Sequence, residues 1–451
     1  MIVRRRKKQI AVFLIILSFT LVPLLVDLWK ENRIIFIKKF NNNSRYNLHT
    51  SSNYNLEWVK TWGGEDYDKG QGICIDDLGN IYLLSHSELT EAGNFDICLL
   101  YYDISSNELE LVQTWESLSN DYAEGMIIDK SGNIYITGST YDNNTMCYDI
   151  LFLKYDKSRV LQWNKTWKGY SDDFGNGIVV DSLGNIYIIG YTKSVGENWI
   201  DICLLKYNSL GFLEWNKTWG AISADYGMEI CIDNFDNLYI TGAKYDYENR
   251  NYEVCLVKFN SSGFEQWNKT WGGLNNDYGI GMTRDNLGNI YITGSTWSFG
   301  NGKSDIFLLK YDSFGSLKWN KTWGGEYSDY GFGIAISESG NIFVTGYTSS
   351  IEKGTDICLL KYFNDGKIIW SKIWGGSNDE EGYKLVLDDL ENIYIVGTTW
   401  SYGNGYSDVC LLKFRETQSI FIYGYNLGFL SLIIGISLIF LFLKKKEEFI
   451  K

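Results

Sequence analysis

Short apolar runs alternate with turn residues along most of this chain, and the pattern repeats. Three phrases recur in step, best seen as WNKTWGG, GNIYITG and DICLLKY, and each occurs seven times at a spacing of 51 to 53 residues. The anchors are the second Trp of the first phrase, at positions 62, 115, 167, 219, 271, 323 and 374, and the Asn of the second, at 80, 133, 185, 237, 289, 341 and 392. Self-similarity at this period predicts a repeat architecture.

Each repeat reads as four short strands, denoted A to D in the order GxGIxID, NIYITG, DICLLKY and WNKTW. Strands B and C are apolar on both faces, which predicts that both faces are covered. Strand D carries Trp on one face and Asn and Thr on the other, as a half-exposed outer strand does. Strand A is short and rich in glycine, as expected close to a crowded axis.

Four-stranded units of this size predict an all-β fold, a seven-bladed β-propeller over residues 55–414. The chain enters on a D strand that ends near Trp62 and leaves on the C strand that starts at Asp408. We therefore expect the first strand to complete the last blade, in a 3+1 closure. The alternative is an open β-solenoid, which does not need the two ends to complement each other.

The phrases DYGxGI, DNLGNIYITGST and DIFLLKYD resemble the bacterial and archaeal seven-bladed β-propeller repeat known as SBBP, over residues ~55 to 414. The hairpin KYDSFGSLKW also resembles the Trp-docking phrase of quinoprotein propellers. This second resemblance implies that its Trp side chains are structural pegs between blades. The SBBP resemblance implies a cell-surface or secreted propeller and fixes no activity.

The two ends predict attachment to a membrane. Residues 1–9 are basic and precede an apolar run at 10–29, which is either a signal peptide or a signal-anchor helix; the absence of a small-x-small pattern after it favours the anchor. Residues 30–54 would be a juxtamembrane linker. Residues 420–443 carry no charge and are long enough for a transmembrane helix, and the basic tail at 444–451 places that end in the cytoplasm. The prediction is a cell-membrane protein with its propeller on the extracytoplasmic side.

Charge and composition exclude several functions. Removing the terminal charges of +8 and +2 from the net charge of −14 leaves −24 for residues 51–414, which argues against nucleic acid as a partner. The only two histidines, His49 and His86, argue against His-based acid/base chemistry and against a multi-His metal site. The eight Cys fall mostly at equivalent strand positions, too far apart for disulfides, and are expected to be small buried hydrophobes.

One acidic residue stands just before each A strand, and together these residues are candidate metal ligands at one mouth of the central channel. Ca²⁺ prefers such oxygen ligands and is the possible cofactor. The alternative is that each carboxylate caps its own tight turn by accepting backbone N–H bonds. The seven residues are Asp68, Asp121, Asp173, Asp225, Asp277, Asp329 and Glu380.

Two further groups are candidate contact or modification sites. Trp199, Trp297 and Trp400 lie outside the strand D pattern, in loops between strands B and C, and are candidate ligand contacts, with a structural role as the alternative. Asn-Lys-Thr sequons start at exposed strand D positions and are candidates for glycosylation, with edge protection as the alternative. These asparagines are Asn164, Asn216, Asn268 and Asn320.

Two functions remain open from the sequence. The first is a binding or scaffold module for a protein, glycan or cell-envelope partner, because the B–C and D–A loops vary between repeats while the strands do not. The alternative is an extracellular polysaccharide hydrolase or lyase that uses carboxylates at the channel mouth. Hydrolases need two carboxylates in unlike environments, and the seven acids are alike, which speaks against the enzyme.

Overall fold

The computed structural model describes residues 35–38, 47–89, 93–194, 200–220, 223–350 and 354–423. These residues form seven β-sheets, and Glu57–Lys413 make up one compact unit. The predicted all-β, seven-bladed propeller with four-stranded blades is confirmed.

Each blade takes one strand from each of four classes, and the blades are numbered 1 to 7 by their A strands. The A strands are β3 (Asp68–Ile75), β7 (Asp121–Ile128), β11 (Asp173–Val180), β15 (Tyr226–Ile232), β19 (Asp277–Arg284), β23 (Asp329–Ile336) and β27 (Glu380–Leu387). The B strands are β4 (Ile81–Glu88), β8 (Ile134–Asp142), β12 (Ile186–Thr192), β16 (Leu238–Asp246), β20 (Ile290–Thr296), β24 (Ile342–Ser350) and β28 (Ile393–Thr399). The C strands are β5 (Phe95–Asp103), β9 (Cys147–Tyr155), β13 (Asp201–Tyr207), β17 (Asn251–Phe259), β21 (Asp305–Tyr311), β25 (Gly354–Tyr362) and β29 (Asp408–Tyr423). The D strands are β6 (Glu108–Trp115), β10 (Leu161–Trp167), β14 (Leu213–Trp219), β18 (Glu265–Trp271), β22 (Leu317–Trp323), β26 (Ile368–Trp374) and, for blade 7, β2 (Asn47–Trp62).

The hydrophobic core is divided into layers, each lying between two adjacent blades. In one such layer Ile189 and Leu204 of blade 3 pack with Ile240 and Val257 of blade 4, and all four side chains are buried. Strands B and C are buried on both faces because each face meets a neighbouring blade, whereas strand D alternates exposed and half-buried positions. A sheet that is apolar on both faces must therefore pack against a neighbouring blade on each side.

The ring closes where the last blade takes its outer strand from the start of the propeller. Strand β2 pairs with β29, and Trp58 and Trp62 of β2 pack on a core shared by blades 7 and 1. An ion pair between Lys413 Nζ and Glu57 Oε2, at 3.2 Å, joins the two ends of the unit. The predicted 3+1 closure is what the structure contains.

The first Trp of strand D contacts the next blade at its C–D turn. These turns contain a glycine at positive φ, and a Cβ added to it would lie 3.0 to 3.2 Å from the Trp ring of the preceding blade. The pairs are Trp163 with Gly211, Trp215 with Gly263, Trp267 with Gly315 and Trp319 with Gly366. The expected structural pegs between blades are therefore present.

The eight cysteines are unpaired, and Cys98, Cys203, Cys255, Cys358 and Cys410 are fully buried in the C strands. Cys74 and Cys231 are half-buried and lie on A strands. The expectation of buried thiols rather than disulfides is confirmed for the C strands.

Outside the propeller unit, β1 (Ile35–Lys38) pairs in parallel with residues Ile420 to Tyr423 of β29. Residues 420–423 are the first four of the predicted transmembrane segment, and they are strand in the structure. The rest of that segment and the predicted N-terminal helix at 10–29 lie outside the described residues. Within the described ranges, no apolar helix reaches membrane-spanning length.

The Trp pegs predict a difference between two glycine substitutions. Gly315 and Gly79 have similar φ values of 77° and 83°, but a Cβ meets Trp267 at 3.0 Å at Gly315 and meets nothing within 4 Å at Gly79. Gly79→Ala should cost about 1 kcal/mol from backbone strain, and Gly315→Ala roughly 2 to 4 kcal/mol because the Trp ring must also move. Denaturant unfolding of both variants measures the difference. Equal losses of unfolding free energy in the two variants would contradict close packing of the Trp267 ring against Gly315.

Candidate functional site

The seven predicted acidic residues lie together at one end of the propeller, at the start of the innermost strands. We call this end, which carries the D–A and B–C connections, the loop face, and the opposite end the turn face. Their side chains are almost fully buried, and five of the seven accept a backbone N–H of their own turn. For example, Asp277 Oδ2 accepts the Gly273 N–H at 2.9 Å and the Ser298 hydroxyl at 2.8 Å. The same backbone bond, four residues back, is made by Asp68, Asp173, Asp329 and Glu380.

This geometry is that of the capping alternative. The described residues contain no group of three or more His, Cys, Asp or Glu side chains that could hold a metal ion. Ca²⁺ binding at the seven acids therefore stays an untested prediction.

A second carboxylate, which opens each C strand, lies near the capping acid of the next blade. Burial raises the pKa of Asp305 to about 6, and repulsion from Asp329 adds to the shift. Asp96 and Asp408 have the same raised pKa of about 6, again chiefly from burial. In blade 2 Lys168 neutralises the equivalent residue, because its Nζ lies 3.0 Å from Asp149 Oδ2. The loop face thus carries neighbouring carboxylates, and burial raises the pKa of Asp96, Asp305 and Asp408 among them.

The other candidate residues are distributed over different surfaces. Trp297 and Trp400 are half-buried on the loop face, where their backbone N–H groups bond to the residue before the capping acid of the same blade. Trp199 lies outside the described residues. The four sequon asparagines are all exposed on outer strands, and Asn268 donates to Glu265 Oε1 at 2.6 Å. Their glycosylation stays a prediction.

An almost continuous belt of aromatic side chains surrounds the channel mouth on the loop face. Successive rings lie 4.9 to 5.8 Å apart between centroids and are half-buried, so each ring keeps a solvent-facing part. We call this set the aromatic belt: Phe95, Tyr122, Tyr148, Phe174, Tyr191, Tyr226, Tyr252, Tyr278, Trp297, Tyr330 and Tyr347. It continues through Phe332 to Tyr383.

Tyrosine or phenylalanine follows the capping acid in blades 2 to 6, whereas Lys69 and Glu381 stand at that position in blades 1 and 7. The belt is therefore interrupted by two charged residues at the junction where the ring closes.

Deeper in the channel, two charged residues replace a repeated glycine. The fifth position of strand A is glycine in five blades and Glu229 and Lys384 in blades 4 and 7. These two side chains form an ion pair across the channel. Glu124 lies near Lys384 and Lys69, and burial raises its pKa to about 7 against the opposing effect of both lysines.

Apart from Trp297, the residues of the belt and of the cross-channel pair were not among those selected from sequence. Both have a signal there: the aromatic residue after each capping acid, as in Tyr122 or Phe174, and the two departures from glycine at Glu229 and Lys384. Reading the repeats as an alignment and asking where single copies depart from it would have located the channel charges.

Comparison with family models gives a match for the repeat. The model described as SBBP, beta-propeller repeat, matches residues 116–144, 169–197, 270–301 and 318–351. Four segments of the chain thus match the SBBP repeat. The matched segments run from the end of one D strand into the B strand of the following blade, or beyond it. They include capping acids and belt residues of blades 2, 3, 5 and 6.

One curated relative shares little sequence with this chain. The regulatory protein FlaEY of Caulobacter vibrioides is 23% identical over 194 residues, which are 37% of this chain and 20% of FlaEY. The matched region is thus a fifth of the relative's length.

Solved structures that resemble the chain include a fungal alcohol oxidase of the AA5 family in complex with copper, with a TM-score of 0.50 and 12% identity over 80% of this chain and 76% of that one. The polysaccharide lyase Uly1 gives 0.49 and 11%, covering 77% and 90%. The β-propeller domain of the Trilobed protease from Pyrococcus furiosus gives 0.47 and 9%, covering 79% and 96%. At these identities the similarity shows the fold alone.

The paired carboxylates predict how the stability of the propeller depends on pH. Because the pKa of Asp305 is about 6 in the folded state and its ordinary value is 3.8, the folded chain binds this proton more readily, and the stability it contributes is lost as pH rises through about 6. Asp305→Asn should reduce the gain in stability between pH 7 and pH 5 by about 1 kcal/mol. Denaturant unfolding at both pH values measures this.

Asp312 of the same blade is the matched control. Its carboxylate lies 2.7 Å from Lys318 Nζ, and hydrogen bonds to Lys318 and to backbone N–H groups lower its pKa. Asp312→Asn should leave the difference between pH 5 and pH 7 unchanged. If Asp305→Asn left the difference in stability between pH 5 and pH 7 unchanged, the raised pKa of Asp305 would be contradicted.

Proposed function

We propose that this protein is a membrane-attached binding module of the cell surface that recognises glycans at the loop face of its propeller. The single observation that carries the proposal is the aromatic belt around the channel mouth. Half-buried aromatic rings, each held by its neighbours, offer rigid apolar surfaces on which the C–H faces of sugar rings pack at little cost in conformational entropy.

The chemistry around the belt supports a ligand that stays at the mouth. The ion pair between Glu229 and Lys384 crosses the channel below the belt. The A strands are also closely packed at this depth of the channel, since a Cβ added to Gly125 would lie 2.6 Å from the Asn176 carbonyl oxygen. A surface ligand is therefore favoured over one that threads the channel.

The turn face supports the membrane part of the proposal. Five of the seven A–B turns present a large apolar side chain that is 76 to 86% exposed. These are Leu78, Leu183, Phe235, Leu287 and Leu390. Both ends of the propeller unit, Glu57 and Lys413, lie at this face and continue toward the predicted membrane segments at 10–29 and 420–443. Exposed apolar residues in one plane are what an interfacial contact with a bilayer needs. The loop face then points away from the membrane, on the extracytoplasmic side.

A polysaccharide hydrolase or lyase is the second candidate, and one observation favours it. The channel holds carboxylates in unlike environments: Glu124, with a pKa of about 7, and Glu229, paired with Lys384. Unlike carboxylates are what acid/base catalysis on glycans needs. These residues are singular, unlike the seven capping acids.

Glycan binding should depend on the aromatic belt. The full-length protein, applied to an array of neutral and charged glycans, should retain at least one class, and Tyr148→Ala should weaken that binding by about tenfold because a stacking surface is lost. Phe314→Ala is the matched control, since Phe314 is 81% exposed on the opposite, turn face. Equal effects of the two variants, or no retained glycan, would contradict the proposal. Turnover of a bound glycan that Glu124→Gln abolishes would favour the enzyme.

Membrane contact should protect the A–B turns. In lipid nanodiscs the full-length protein should show slower hydrogen exchange at these turns than in detergent, with no change at the loop face. Replacing Leu78, Leu183, Phe235, Leu287 and Leu390 by Ser should remove the difference. Serine stands naturally at this position in blades 2 and 6, as Ser131 and Ser339, so the turns accept it. Equal exchange of the natural protein in nanodiscs and detergent would contradict the orientation.

A further inference from the structure

A cleft of about 420 Å³ lies on the loop face at the boundary between blades 4 and 5, beside the aromatic belt. It is lined by Arg250, Asn251, Leu274, Asn275, Asn276, Trp297 and Lys303. Its size falls within the range of roughly 300 to 1,000 Å³ of small-molecule sites. No acidic side chain is among the lining residues, although residues 51–414 carry a net charge of −24.

The aromatic wall of the cleft is held in place from two sides. The Trp297 ring makes edge contacts with Tyr278 at 5.7 Å and with Tyr330 at 5.5 Å between centroids. Its backbone is fixed as well, because Asn275 Nδ2 donates to the Trp297 carbonyl oxygen at 3.1 Å. Leu274, which is 80% exposed, adds a second apolar surface. The cleft thus has a preformed apolar side on which a sugar ring can pack.

The polar floor of the cleft contains an acceptor that lacks a donor. Asn251 is 3% exposed, and its Nδ2 donates to the carbonyl oxygens of Gly273, at 2.8 Å, and Asn275, at 2.6 Å. These two bonds fix the orientation of the amide, so the remaining atom is the acceptor Oδ1, which has no partner within the described part of the chain. A buried acceptor without a donor costs free energy, and a hydroxyl group from the cleft would relieve that cost.

Two cations stand above this floor. Arg250 and Lys303 are exposed, come from different blades, and form no ion pair with any described residue. Arginine binds carboxylates through two parallel hydrogen bonds, and a nearby lysine strengthens the attraction. The combination of an aromatic wall, a hydroxyl acceptor and two free cations is specific for a ligand that has a sugar ring and a negative charge.

The equivalent cleft between blades 2 and 3 lacks each of these features. Met146 and Cys147 stand where blade 4 has Arg250 and Asn251, and Lys193 replaces Trp297. Lys193 is itself paired with Asp172, at 3.0 Å. Arg250, Asn251 and Lys303 are therefore not part of the repeated scaffold, whereas a Trp at the position of Trp297 recurs in blade 7 as Trp400.

We propose that the cleft at the boundary of blades 4 and 5 binds an acidic saccharide, in which a uronic acid carboxylate contacts Arg250 and Lys303 while the sugar ring packs on Trp297. The proposal rests on the proposed glycan-binding function and names its ligand class. An acidic peptide is the competing ligand, and it lacks the ring and hydroxyl groups that Trp297 and Asn251 would bind.

Calorimetric titration of the full-length protein tests the ligand class. Trimers of galacturonic acid and of mannuronic acid are compared with the neutral trimers of galactose and mannose and with a poly-glutamate peptide. At least one acidic trimer should bind at least about tenfold more tightly than its neutral counterpart, and added salt should weaken it. No binding of either acidic trimer, equal affinity for acidic and neutral trimers, or tighter binding of the peptide would overturn the proposal.

Variants locate the site. Arg250→Gln and Lys303→Gln should each weaken the acidic trimer roughly tenfold and leave the neutral one unchanged, while Trp297→Ala should weaken both. Phe314→Ala, on the opposite, turn face, is the control and should change neither. Melting temperatures confirm that the two glutamine variants fold, as exposed positions allow. Unchanged affinity in both glutamine variants would overturn the site.

These experiments distinguish failure of the acidic saccharide site from failure of the proposed glycan-binding function. If neither acidic trimer binds but the glycan array still shows binding that Tyr148→Ala removes, the acidic saccharide site is wrong and the binding module stands. If the array shows no binding at all, the proposed function fails with it.

Discussion

The burial of apolar side chains on both faces of every blade is the constraint on which this molecule depends. A sheet such as β12–β13, with Ile188 and Leu204 fully buried on opposite sides, cannot exist as an outer layer. It must pack against a neighbouring sheet on each side. Because the same holds for every blade, the series of blades is complete only when the last blade packs against the first. The closure through Trp58 and Trp62 is therefore a consequence of the packing, since without β2 the core between blades 7 and 1 would be open to water.

The same constraint explains why so much of the unusual composition is structural. The Trp residues of strand D fill the outer gap between twisted sheets, and in four blades a glycine in the next C–D turn leaves room for the ring at a backbone conformation that favours glycine. The capping acids serve the inner end of each blade in a similar way. All seven are buried, and five of them accept the N–H of a tight turn, as Asp173 does from Gly169 at 2.9 Å. Features that recur in every blade are therefore explained by the blade itself.

This distinction also separates what the sequence could predict from what it could not. Strand order, burial of strands B and C, the outer position of strand D and the closure all follow from period and alternation. The position of Asp277 at the loop face follows from topology as well, but its depth does not, because a repeat pattern cannot tell a carboxylate that points into a turn from one that lines a channel. The aromatic belt was missed for a related reason. Tyr278 and Tyr330 are ordinary strand residues in sequence, and they become neighbours only through Trp297, which arrives from a loop.

Singular residues carry more functional information than repeated ones in such a fold. Seven equal sites in a ring do not favour any one orientation of an asymmetric ligand. A residue that differs in one or two blades does favour one orientation. Lys69 and Glu381 interrupt the belt at one junction, Glu229 and Lys384 join opposite sides of the channel, and Arg250 stands at a third place. None of these residues is needed for the packing, because the other blades form the same cores without them. Their charges lie in an otherwise acidic domain at the end of the molecule where loops vary, and a polar ligand that met this face would be oriented by those few charges rather than by the sevenfold frame.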